Sequence, residues 1–343
     1  PDGTRLNEGW FKGPYTIRNY AKNFYRPKGD DQAEWSFPIE YKTFKFDRPI
    51  PETKALMKAI EDTKPSVMYS LHNAGFGGAY YYISYPLEKA YDTFHRLPTE
   101  RNLPLSLGEP EVPYCQMFGP AVYRTNLVTD AYDYYEKYGK GDPAQYMFGG
   151  ASSRDFADKV SKPFTLVTEV PYFMSPKIGD LSKIGKTRRE VILEGIERSR
   201  KMLSFVQEVI DGTIDELHEG KILKDAAAQF TKTLAKGLEG EEKWAKEADG
   251  MDDEATVAQE ADALYINVFY KMLIVSMHRR ALGMQVEKGA SDKLAEAYHK
   301  LDEAVDGWAK EIEEALKYEV VPIRDLVQIQ YGALLAVLDA LGK

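Results

Sequence analysis

The chain is short of cysteine, of histidine and, past its midpoint, of proline. A single cysteine, Cys115, stands among 343 residues. That excludes an intramolecular disulfide, a cysteine-rich zinc knuckle and an iron–sulfur cluster, and it fits a reducing compartment. Positive charge is also in deficit. The formal net charge is -9 and the isoelectric point about 5.3, so no global basic field exists to hold nucleic acid. No apolar run reaches the length of about 18 residues that a membrane span needs. The nearest, Val320 to Leu341, is broken by Arg324, Asp325 and Asp339. The opening Pro1-Asp2-Gly3 is a turn signal without an initiator Met, a basic stretch or an apolar leader. The sequence therefore reads as cut from a longer one, with any targeting signal upstream.

What is present divides in two. Seventeen of the 18 prolines lie between Pro1 and Pro176, in a part dense in Tyr, Phe and Gly. Beyond it the chain is rich in Ala, Leu, Glu and Lys. A boundary is expected near Asp180, giving regions 1–180 and 181–343. The first reads as α/β. A helix opens on Pro51 and runs to Asp62, followed by the short apolar strand Pro65–Leu71. A second buried strand is expected over Phe164–Thr168. The second region reads as helices over Lys186–Ile210, Lys221–Lys246, Val257–Val275, Ser291–Lys317 and Ile323–Leu341, a bundle or appendage with Leu203, Val206, Val268, Met272, Leu334 and Leu338 buried. A helical tail of this kind also offers a surface for oligomerisation.

Three strings carry chemistry-bearing residues. In Ser70-Leu-His-Asn-Ala-Gly-Phe-Gly-Gly-Ala-Tyr-Tyr-Tyr82, His72 and Asn73 follow a strand and precede a glycine-rich loop. Ligands gather at strand ends in open α/β sheets, and imidazole is a common zinc ligand. The structural reading is a histidine packed within its loop. In Phe164-Thr-Leu-Val-Thr-Glu169, the Glu closes a buried strand, where desolvation raises a carboxyl toward the range of a general base. An ordinary ion-paired glutamate is the structural alternative. In Tyr146-Met-Phe-Gly-Gly-Ala-Ser-Ser-Arg154, a glycine loop carries a Tyr and an Arg, as a substrate loop or as plain surface.

Taken in order, these strings resemble the zinc metallocarboxypeptidases of the carboxypeptidase A type. Leu71-His72-Asn73 is similar to the family's third zinc-ligand string, and Phe164–Glu169 to its general-base strand, one residue longer. Tyr146 is similar to the tyrosine that closes over substrate. Pro1-Asp2-Gly3-Thr4-Arg5-Leu6-Asn7 is similar to the segment whose arginine polarises the scissile carbonyl. Ala21-Lys22-Asn23-Phe24-Tyr25-Arg26 resembles the string that holds the substrate's terminal carboxylate. It departs from it, because Ala21-Lys22 stands where Asn-Arg is expected, and a Lys lacks the planar bidentate fork.

The resemblance implies a partial carboxypeptidase-like mixed sheet with flanking helices over 1–180, followed by an all-α region that it does not explain. It implies zinc on His72, Glu169 as general base, Arg5 as oxyanion stabiliser, and Tyr146, Arg154, Asn73, Lys22 and Arg26 against a peptide or peptidoglycan-type peptide. Arg154 suggests an acidic C-terminal side chain. None of the five histidines is followed by Glu three residues later, so the remaining zinc ligands are expected upstream of Pro1. A non-catalytic binding or scaffold protein on the same fold is the rival expectation, and a zinc-free ligand-binding α/β domain is a third.

Overall fold

The computed structural model describes residues 2–343, with side chains from Arg5 onward. In chain order it has α1 (Asp2–Phe11), α2 (Ile17–Asn23), a hairpin of β1 (Ile39–Tyr41) and β2 (Phe44–Phe46), α3 (Pro51–Thr63), β3 (Val67–Phe76), β4 (Tyr80–Ile83) and α4 (Tyr91–Thr99). There follow β5 (Met117–Gly119), β6 (Val122–Arg124), α5 (Val128–Tyr138), α6 (Ser153–Val160) and β7 (Phe164–Met174). The remainder holds β8 (Lys183–Thr187), α7 (Arg188–Thr213), α8 (Lys221–Glu247), β9 (Glu254–Thr256), α9 (Val257–Ala261), a π-helical turn (Asp262–Ile266), α10 (Asn267–Glu287), α11 (Asp292–Leu316), β10 (Glu319–Val320) and α12 (Ile323–Ala340). Among the described residues no helix is long and apolar enough to cross a membrane.

The fold is mixed α/β. Strand β7 is the spine of a mixed sheet: β3 pairs with it in parallel, β4 antiparallel on the other flank, and β10 antiparallel at its far end. Beyond β4 lie β6, parallel to it, and β5. Both long strands outrun the sequence expectation, which stopped them at Leu71 and Thr168. His72 and Glu169 therefore sit within strands and not at their ends. β3 continues because a bulge between Asn73 and Phe76 absorbs a register shift, with Gly75 at φ 69°. β7 continues through Pro171, which faces Gly75 at that irregularity, where a missing N–H costs least.

The helices form as their sequences direct. Thr187 and Glu190 make a capping box at the start of α7, and Thr256 and Gln259 do the same for α9. Helix α10 carries buried side chains on every face, Val268, Phe269, Met272, Leu273 and Val275 among them, and packs against α2, α7, α8 and α11.

Packing does not stop at Asp180. Trp10, Ile17, Phe76 and Phe173 share one core with Val206, Phe269, Met272 and Leu301. Phe164, Leu166 and Val170 share another with Leu326, Ile329, Ala333 and Val337 of α12. The part after Lys186 is also not purely helical, because β9 pairs with β8 and β10 joins the main sheet. Leu203, Val206, Val268 and Met272 are buried as expected. Leu334 and Leu338 are only half-buried, since the inward stripe of α12 is Leu326, Ile329, Ala333 and Val337, one residue out of phase with the expectation.

His278 shows how tightly the helical core is closed. It is fully buried, with Nε2 2.9 Å from Thr213 Oγ1. That hydroxyl spends its proton on Val209 O, so Nε2 is the donor and the imidazole is the neutral tautomer with Nδ1 unpartnered. Burial first, then the charge of Lys224, pushes the imidazole down to about 4. Between its unfolded value near 6.5 and about 4, the unfolded chain binds more protons, so stability falls as pH falls through that window. We expect this residue alone to remove roughly 3 kcal/mol over that range. Urea titrations of the wild type and His278→Gln across it check this, the variant showing the flatter profile.

Candidate functional site

The parallel pairing of β3 and β7 sets His72 opposite Glu169. Register partners project to the same face, so the two side chains meet, with His72 Nδ1 2.9 Å from Glu169 Oε1. The Glu169 side chain is 8% exposed and that of His72 is 45% exposed, because β7 is central and β3 lies on the sheet's edge. Burial holds the Glu169 carboxyl above the usual carboxylate range, against the pull of His72 and Arg26. The hydrogen bond His72 donates to Glu169 is the main cause that raises the imidazole, and it outweighs burial. A proton in the gap serves both groups. Glu34, also raised by burial, accepts hydrogen bonds from Ser153 N and Oγ at 3.0 and 2.8 Å and adds its field to His72.

A chamber of about 440 Å³ lies between the sheet and the helices, lined by neither His72 nor Glu169 but reaching the strand next to Glu169. Tyr80, the cross-strand partner of Glu169, forms part of its wall. Arg26 lines it too, in the field of Glu111 and Glu169. Arg26 touches solvent yet is enclosed by protein, as a cavity-lining residue must be, and burial lowers its guanidinium while those carboxylates push it back up. Farther along the wall are Glu109, Glu111, Glu241, Asp262 and Lys271. The π-helical turn carries Asp262 inward. Gly108 makes that possible, since a Cβ there would stand 2.8 Å from the Asp262 Cβ and 2.9 Å from Ala258 O.

The structure brings together His72, Glu169 and Arg26, and Asn73 follows His72 on the same strand. The Asn73 side chain turns back to accept from Gly75 N at 2.7 Å and so shapes the bulge. The other candidates sit elsewhere. Arg5 lies exposed on α1, a helix tied to the Arg26 loop by Asn7, which donates to Tyr25 O and accepts from Tyr25 N. Lys22 pairs with Asp302 and Asp306 of α11 at 2.9 and 2.8 Å. Tyr146 is buried, stacked on Tyr135 at 4.2 Å, with its hydroxyl exchanging hydrogen bonds with the Lys140 backbone. Arg154 is buried as well. It donates to Thr125 O at 2.7 Å and Asp158 Oδ2 at 3.3 Å, so its charge is spent within the fold.

Several residues of the site were not read from the sequence. Glu111 sits in the Pro-flanked run Glu109-Pro-Glu-Val-Pro113, and two acids in so short a rigid loop were the available signal. Asp262 and Lys271 interrupt apolar helical stripes, which is the mark of a charge carried inward. Arg280 of α10 donates to Leu6 O, Asn23 O and Phe24 O, and thereby sets the segment that leads to Arg26.

No family model, no curated protein and no solved structure matches the chain.

The enclosure of Arg154 has a measurable consequence. Arg154→Ala is expected to cost about 2–3 kcal/mol, because it strands buried acceptors and removes a partly buried ion pair. The imidazole titration of His72, followed by NMR, is expected to stay where it is. A stable variant with a displaced His72 titration would instead place that guanidinium in the site.

Proposed function

We propose that the chain is the base-bearing part of a zinc-dependent metallocarboxypeptidase that releases C-terminal residues from peptides, peptidoglycan-type peptides included. The observation that carries this reading is the 2.9 Å contact of His72 with buried Glu169, next to a strand that reaches a chamber lined by Arg26. The mixed sheet, with these two residues on adjacent parallel strands, is in keeping with the resemblance seen in the sequence.

Glu169 is the group to accept a proton from water and return it to the leaving amine, a role helped by the desolvation that raises its carboxyl. Arg26 is the better anchor for a substrate carboxylate than Lys22. Its planar fork suits a carboxylate and it lines the chamber, whereas Lys22 is engaged by two aspartates. Arg5 keeps the role of oxyanion stabiliser in this reading.

The residues present do not complete a zinc centre. Among those described, no three His, Cys, Asp or Glu side chains converge as a metal site requires, and His72 supplies one ligand. The reading places the other ligands outside residues 1–343. Zinc, when bound, lowers the pKa of its water and polarises a carbonyl.

The rival is a non-catalytic ligand-binding domain. It is favoured by the burial of Tyr146 and Arg154, which leaves neither free to meet a substrate.

Residues 1–343 alone are expected neither to bind zinc tightly nor to hydrolyse peptides. A polypeptide carrying a His-x-x-Glu segment upstream in the same gene is expected to bind one zinc and release C-terminal residues. In that form Glu169→Gln should lower kcat by roughly 10²–10⁴ with zinc affinity kept, and His72→Ala should lose the metal. Calorimetric zinc titration and a carboxypeptidase assay decide between the readings. Turnover retained in Glu169→Gln removes the proposed base. An extended form without zinc or activity leaves the binding domain in its place.

A further inference from the structure

The chamber is walled on one side by rings and carboxylates. Glu111 accepts hydrogen bonds from the Tyr80 and Tyr82 hydroxyls, one on each carboxylate oxygen, at 2.6 and 2.7 Å. The two tyrosines fix that carboxylate in position and leave each oxygen a lone pair. Tyr80, Tyr114, Tyr123 and Tyr270 all line the chamber and lie in the field of Glu111. Tyr270 is itself held by its hydroxyl to Ala74 O. Asp262 projects from the π-helical turn into the same wall, close enough that Glu109 and Glu111 both act on it.

The neighbouring charges do not cancel this one. Glu109 is spent on Arg188, which grips it with two hydrogen bonds at 2.6 and 2.7 Å, and on Gln259 at 2.9 Å. Lys271, 7% exposed, bonds Asn267 and is shared between the fields of Glu241 and Asp262. Arg26 lies in the field of Glu111 first and of Glu169 second, so it offsets part of the Glu111 charge. With Glu109 paired, the wall still sets Glu111, Glu241 and Asp262 against Arg26 and Lys271, one carboxylate in excess. Burial first, then Glu109 and Glu111, raises Asp262 to about 8, against the pull of Lys271. Tyr134 points to the conclusion that the chamber is built for an occupant. It is 6% exposed, it lines the chamber, and its hydroxyl has no hydrogen-bond partner.

We propose that this chamber binds an aliphatic primary amine, with the ammonium against Glu111 and Asp262 and the methylenes between the rings of Tyr80, Tyr123 and Tyr270. An ammonium offers three donors, which the free lone pairs of the two carboxylates accept. Tyrosine faces attract the cation and cover its apolar stem. The volume of about 440 Å³ suits a small molecule. This site needs neither zinc nor catalysis by Glu169, although Arg26, the carboxylate anchor of the peptidase reading, lines the same chamber.

The test uses the chain as it is, with 1,5-diaminopentane as probe. Pentane-1,5-diol has the same body without charge, and glutarate has it with the opposite charge. Calorimetry and ligand-observed NMR are expected to show one diamine bound per chain, the diol unbound at the same concentration, and any glutarate uptake lost in Arg26→Ala while the diamine is kept. Glu111→Gln and, independently, Asp262→Asn should each weaken the diamine by roughly tenfold or more. Thermal melts identify a variant that has lost its fold, and the other variant then carries the comparison. Diol binding as tight as the diamine, diamine binding untouched in a folded variant, or no diamine binding at millimolar concentration would each overturn the proposal.

Discussion

The register of one strand pair governs the rest. β3 and β7 run parallel, and their hydrogen bonds place Val67 against Phe164 and His72 against Glu169. A slip of one residue would send the whole alternate set of side chains to the opposite face. Tyr69 and Leu166 would then leave the core they share with α12, and His72 would leave Glu169. The apolar face thus enforces the polar one. Burial of Leu166, Val170, Ile329 and Ala333 on one side of the sheet is what holds an imidazole and a carboxylate together on the other. Tyr69 adds a lock, because its hydroxyl donates to Gln330 O of α12 at 2.7 Å.

Much of this was legible from residues alone, and the failures have physical causes. The two strands announced themselves as apolar runs bounded by proline, and His72 and Glu169 stood out because each breaks such a run. Their ends were misjudged because a bulge at Gly75 lets a strand continue where glycine and proline ordinarily stop one. Lys22 looked available for a substrate. Its partners, Asp302 and Asp306, lie one helical turn apart on α11, and no local pattern links positions so distant in the chain. Tyr146 looked mobile beside two glycines, yet the flat stacking on Tyr135 pins it. The compositional boundary near Asp180 is real, but proline content reports on local chain geometry and not on where a core closes. The chamber was the least legible feature, since it is assembled from β4, the loop at 106–114, α7, α8 and α10, which lie far apart in the chain.

Charge inside the molecule is compensated unevenly, and that unevenness has a pattern. Where two ions meet, as Arg188 with Glu109, the fork geometry is complete and the pair is self-contained. Around Glu111 the compensation comes from two tyrosine hydroxyls and the field of Arg26, and Asp262 has only the field of Lys271 set against two carboxylates. The π-helical turn is the backbone counterpart of this arrangement: it widens the helix to carry a carboxylate to a place that a regular α-helix would have left to an apolar side chain.

Among the described residues strand β3 has only β7 as a partner, so its other side is an open border of the sheet. Leu71 is 65% exposed on it, and Ile323, Val327, Tyr331 and Leu335 form an uncovered ridge along α12. Gln330 of that helix already reaches the His72 carbonyl at 2.8 Å, which occupies one acceptor of the strand. Such a border is a template whose phase is already decided. Any extended segment annealing to it would inherit the alternation that β7 imposes, with every second side chain on the His72 face and the others on the ridge side. In concentrated solution the same geometry lends itself to seeding, with copies joined border to border, and the polarity of β3 would set how such a stack grows.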